Sequence, residues 1–127
     1  MSELLCLELS IVLWVIHVIV QAGTERSEFG DDFQAGSRDV QPKPKQLVTG
    51  RAKRALANYM ENFPAFIAAD LGLILTQHTG GIGATIWIVA RIIYLPLYLS
   101  GVKYIRTACW IISIVGLLLM LWRLAGF

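Results

Sequence analysis

Four stretches of this 127-residue chain, at about 4–22, 55–76, 82–101 and 107–125, are each long and apolar enough to cross a bilayer, and that pattern closes off most folds. About 20 mostly apolar residues carry a helix through the hydrocarbon. Hydrophobic residues make up 56% of the sequence, above the roughly 45–50% apolar share of soluble domains. Little is left from which to build a separate soluble domain. The expected architecture is all-α and integral to the membrane, a single domain over residues 1–127 forming a bundle of four transmembrane helices. A secretory signal peptide would open on basic residues. Here the leader holds Glu3 and neither Lys nor Arg, so the first stretch reads as a retained spanning helix.

Charge placement sets the expected orientation, because basic residues beside helix ends stay on the cytoplasmic side. Arg26, Arg38, Lys43, Lys45, Arg51, Lys53 and Arg54 lie in or beside the first connection, at about 23–53, and Lys103 and Arg106 in the third. Nine of the eleven cations thus gather on one face, while the second connection, 77–85, holds none. Both termini are expected on the non-cytoplasmic side. The basic loop also contains Glu25, Glu28, Asp31, Asp32 and Asp39, which argues against nucleic acid as a partner. Two cysteines make no disulfide framework. Cys6 and Cys109 fall near opposite membrane faces, about 30 Å apart, and a bridge needs Cα atoms within roughly 7 Å.

The connection at about 23–53 is polar and carries Pro42 and Pro44. Loops of that length are uncommon and tend to be functional or disordered; this one reads equally as a solvated tether or as a lid over a polar pocket. Pro64 removes an amide donor inside the second spanning segment and should kink it. The short QHTGGIGAT turn makes the second and third helices antiparallel neighbours. Glu8 and His17 fall on opposite faces of the first helix and form no joint site, and His17 reads as a hydrogen-bonded interior residue. Asp70 lies about 160° around its helix from Arg54 at roughly 100° per residue and reads as a packing or interfacial group. Trp110 and Trp122, near the two ends of the fourth helix, read as interface anchors. Metal-ligand spacings, phosphate-cradling glycine loops and nucleophile elbows are absent.

The sharpest polar signal is RALANYMENFP, residues 54–64. Its Arg54, Asn58 and Glu61 share one helix face, and ionisable groups in a spanning helix are costly enough to mark a functional site. On the third helix Arg91, Tyr94 and Tyr98 are spaced three and four residues apart and therefore align. A guanidinium buried there needs an anion, and Glu61, at a similar depth, is the expected ion-pair partner of Arg91. Together with Arg106 these groups converge near one depth, in greater number than helix-to-helix glue requires.

RALANYMENFPAF resembles the signature of the membrane-associated proteins in eicosanoid and glutathione metabolism, the MAPEG family, in which Arg or His is followed at this spacing by Asn and Glu and then by an aromatic and a proline. ARIIYLPLYLSGVKYIRT is similar to the same family's third-helix segment. Within the family the chain resembles the microsomal glutathione transferases. The resemblance implies a homotrimer of four-helix protomers that holds glutathione, as cosubstrate, between adjacent subunits near the cytoplasmic surface. It further implies that Arg54, Asn58 and Glu61 grip the tripeptide, that Arg91, Tyr94 and Tyr98 contribute to the same site, and that Arg106, with Thr107 beside it, is the catalytic arginine holding the sulfur as thiolate. Asn62 departs from the pattern, standing where several members carry an aromatic. The implied activity is that of a glutathione transferase or peroxidase acting on lipophilic electrophiles or lipid hydroperoxides that arrive from the membrane. Two other classes compete with it: a non-catalytic lipid-binding scaffold of the same family, and a small four-helix membrane transporter, for which Glu8 is the suggestive residue.

Overall fold

The computed structural model describes residues 1–127 and is helical throughout, with four long helices and one short one. Helix α1, Glu3–Phe29, starts where the Ser2 hydroxyl accepts the Leu5 N–H at 3.2 Å, satisfying one of the free donors of a first turn. Helix α2, Asp31–Ala35, follows directly after Gly30, whose φ of +89° favours glycine. Helices α3, Leu47–Leu75, α4, Gly83–Ser100, and α5, Tyr104–Leu124, complete the chain. Helix α3 runs through Pro64 without interruption.

The long connection expected at about 23–53 is therefore much shorter. Helix α1 continues past residue 22 to Phe29, and α3 begins at Leu47 instead of near 55. Hydropathy marks where a helix leaves hydrocarbon, and the polar residues Gln21, Glu25 and Arg26 continue the helix beyond that point with no loss of backbone hydrogen bonds. What remains irregular, 36–46, is tied back to α1. One Glu28 carboxylate oxygen accepts the N–H of Lys45 and, at 3.1 Å, that of Gln46. Desolvation works to raise the pKa of Glu28, but the Thr49 hydroxyl and these two donors outweigh it and hold the group below the ordinary carboxylate range.

Helices α1, α4 and α5 are long and apolar enough to cross a membrane. Helix α3 is the longest element, at 29 residues, and its first half carries the charges that dilute its hydropathy. The bundle pairs α4 closely with α5 and α1 with α3. The first pair meets at glycines: a Cβ on Gly116 would lie 2.7 Å from the Gly83 carbonyl oxygen and 2.8 Å from the Trp87 nitrogen. The core is built around aromatic rings. Phe66 stacks on Trp87 at 3.9 Å, and His17 on Tyr59 at 4.5 Å. The Tyr59 hydroxyl donates to the Ser10 carbonyl at 2.6 Å. His17 is buried with Nδ1 2.8 Å from the Leu13 carbonyl, the interior hydrogen-bonded role its isolation in the sequence suggests. Glu8 is exposed on another face, and both cysteines are free.

One further contact fixes the end of the bundle at which the polar residues gather. Helix α4 terminates at Gly101, left-handed at φ +78°, with its N–H turned back to Leu97 and Tyr98 carbonyls. Arg51 of α3 lies against this cap, donating to the Leu99 carbonyl at 3.2 Å, and a Cβ at position 101 would sit 2.6 Å from its Nη2. Start of α3 and end of α4 are thereby pinned together.

Candidate functional site

Six of the seven residues singled out from the sequence line one cleft of about 420 Å³: Arg54, Asn58 and Glu61 from α3, Tyr94 and Tyr98 from α4, and Arg106 from α5. Ala57, Thr107 and Trp110 complete its wall. The spacing that aligned the α3 residues explains their convergence, since positions one and two turns apart present side chains to the same neighbour. Arg54 folds back over its own helix at Gly50, where a Cβ would lie 3.1 Å from Nη1.

Arg91 is placed differently. It is 0% exposed and lies behind the cleft wall, where Nη1 donates to Asn58 Oδ1 at 2.8 Å. Its guanidinium carbon sits 4.5 Å from the Tyr94 ring centroid and 5.3 Å from that of Tyr59. The expected Glu61–Arg91 ion pair does not form. Asn58 is the α3 residue turned toward α4, whereas Glu61, roughly 60° around the helix from it, is exposed. An amide oxygen and two ring faces accommodate the guanidinium without the added desolvation of a carboxylate. Nε and Nη2 of Arg91 have no protein partner.

From Arg91 a chain of aromatic contacts runs outward. Tyr94 meets Tyr98 edge-on at 5.5 Å, and the Arg106 guanidinium lies 4.6 Å from the centroid of Tyr98. The sole ion pair in the protein is Arg26–Asp31, outside the cleft. Arg54, Arg106 and Glu61 therefore face the cleft with none of them in an ion pair. The irregular segment 36–46 contributes nothing to the wall. Asn62, at the position of the departure noted above, bonds its own helix at the Asn58 carbonyl, 3.2 Å.

Trp110, expected from the sequence to be a membrane-interface anchor, also lines the cleft. The signal was present in the spacing: it stands four residues after Arg106 and so on the same face of α5. Ala57, three residues after Arg54, was likewise findable. A wholly different groove runs along α4 and α5, about 350 Å³, walled by Ile86, Val89, Ile93 and Ile112 with Cys109 at its edge. Cys109 adjoins Trp110, so this apolar groove and the charged cleft sit on consecutive residues of α5.

Residues 4–126 match the family model described as MAPEG family. No curated protein and no solved structure matches the chain.

Proposed function

The chain belongs to the MAPEG family, and from that premise we propose that it is a membrane-bound glutathione transferase or peroxidase acting on lipophilic electrophiles or lipid hydroperoxides. Members of the family are integral membrane proteins known for glutathione-dependent transferase and peroxidase chemistry and for eicosanoid metabolism. The observation that carries the reading is uncommitted charge: two guanidinium groups and a carboxylate in one cleft, none of them paired within the protein. Glutathione has two carboxylates, an ammonium and a thiol, and a site for it needs that complement.

In this reading Arg54 takes a carboxylate, which a guanidinium can hold bidentately, and Glu61 takes the ammonium. When bound, glutathione supplies the nucleophilic sulfur. Arg106 is the residue assigned to hold that sulfur as thiolate, because a cation beside a thiol lowers its pKa. Tyr98 beneath it and Tyr94 behind fix the height at which the guanidinium sits. Arg91 acts as a positioning residue, through Asn58 and Tyr94. The groove beside Cys109 supports entry of an apolar second substrate from the bilayer.

The remaining architecture belongs to the same proposal: α3 as a fourth span, one domain, termini on the non-cytoplasmic face, and a homotrimer. Arg54 and Glu61 are exposed on the single protomer, so a neighbouring subunit across that face would exclude water from a peptide they hold. The deciding experiment measures glutathione binding to the purified protein by titration calorimetry, together with thiolate absorbance in the ultraviolet and turnover of an aromatic halide. Arg106→Ala should abolish the thiolate signal and turnover while leaving the oligomer mass unchanged. Thiolate formation that persists in Arg106→Ala would overturn the assignment, and absence of glutathione binding to the intact protein would favour a non-catalytic scaffold.

A further inference from the structure

At the end of the bundle opposite the cleft lies a second cavity, of about 290 Å³, enclosed by the start of α1, the α3–α4 turn and the last turn of α5. Its chemistry is that of an unpaired acid and an unpaired base held apart. On one side Glu3, 4% exposed, accepts the Gly80 N–H at 2.9 Å. Deeper in α3, Asp70 is 0% exposed, with both carboxylate oxygens lacking any hydrogen-bond partner. A buried carboxylate without donors is costly; Asp70 has none, Glu3 has the Gly80 N–H, and no cation pairs with either. On the other side Arg123 donates from Nη2 to the Thr79 carbonyl at 2.9 Å and has no anion. Between them the wall is apolar, from Leu73, Leu119 and Met120, with Trp122 at the rim.

We propose that this cavity binds the headgroup of a membrane phospholipid that carries a primary ammonium, its amine on Glu3 and its phosphate on Arg123. Three arguments select that occupant. An acid and a base that line one cavity without pairing are complementary to a zwitterion. The helices long enough to cross a membrane, α1, α4 and α5, all have an end here, which places the cavity at headgroup level with its apolar wall continuing toward the acyl chains. A carboxylate that is almost wholly buried requires N–H donors, which a primary ammonium has and a quaternary one lacks. The proposal is independent of the activity assigned to the other end.

The test uses the full-length protein in detergent, delipidated and then titrated with short-chain phosphatidylethanolamine, phosphatidylcholine or phosphatidylglycerol, and followed by native mass spectrometry. The intact protein should retain the ethanolamine lipid about tenfold more strongly than either of the others, the worth of one charge-assisted contact. Glu3→Gln, which still accepts the Gly80 N–H, should erase that preference while leaving phosphate-dependent retention in place, and Arg123→Gln should weaken all three lipids. Equal retention of the three lipids by the intact protein refutes the proposal without recourse to a variant, as does an ethanolamine preference that survives Glu3→Gln. Soluble phosphoethanolamine competing as well as the lipid would overturn the lipid as source.

Discussion

Removing the Asn58 side chain should cost the protein more than its half-buried position suggests, because of what it leaves behind. Arg91 is wholly buried and already has two guanidinium nitrogens without protein partners; the 2.8 Å bond to Asn58 Oδ1 is the one side-chain hydrogen bond it makes. Asn58→Ala strips that bond and leaves only the ring faces of Tyr94 and Tyr59. A hydrogen bond to a charged group contributes about 1.5–3 kcal/mol, so the loss in unfolding free energy should fall in that range. Asn58→Asp has the same shape but offers a carboxylate to the unpartnered nitrogens, and should retain at least the wild-type stability. The two substitutions thus separate a lost bond from a lost shape. Unfolding in mixed micelles of denaturing and mild detergent, read by far-ultraviolet dichroism, gives the difference, and a cycle with Arg91→Met isolates the pair. If the Asn58→Ala loss persists undiminished in the Arg91→Met background, or if Ala and Asp destabilise alike, the assigned link between α3 and α4 is wrong.

Glu61→Gln should leave stability within about 0.5 kcal/mol of wild type, as for an exposed group away from any network, yet weaken glutathione binding by calorimetry; a large fall in stability would restore the ion pair to Arg91 that the geometry denies. Gly116→Ala should cost about 1–3 kcal/mol by overpacking, because the added methyl would meet the Gly83 and Trp87 backbone; an unchanged melting temperature in detergent would mean the two helices separate freely. Glu28, whose pKa is lowered in the folded protein, contributes stability that is fully present above the unfolded carboxylate value and is lost as pH falls through the lower folded one. A carboxyl carbon titration by NMR should therefore place its midpoint below about 4.3, and a midpoint at or above that value would remove Glu28 as the anchor of the loop.

Periodicity made the cleft legible because its residues come from single faces: Arg54, Asn58 and Glu61 at one and two turns, Tyr94 and Tyr98 at one turn. Depth along the helix was legible too. Azimuth is not, and height alone pairs Glu61 with Arg91, although Asn58 is the residue that faces α4. The end of α1 escaped for a different reason, since hydropathy falls at residue 22 while the helix continues on polar side chains to Phe29. Glu3, Asp70 and Arg123 lie 67, 53 and up to 120 positions apart in the sequence, and no local pattern joins them. Only the antiparallel course of the helices brings the start of α1 to the end of α5.

The way the cleft cations are held bears on what they can do. A guanidinium paired with a carboxylate is well anchored but largely neutralised toward a third group, and releasing it would cost the pair. A guanidinium on a tyrosine face, as Arg106 is on Tyr98, gains about 0.5–2 kcal/mol of orientation while keeping its full positive charge for an incoming anion. Arg91 repeats the arrangement one layer deeper, on Tyr94, so the stack is braced from inside by a charge that never reaches the cleft. Aromatic support at this end of the bundle thus holds the arginines without neutralising them, since tyrosines, not aspartates or glutamates, stand between the two.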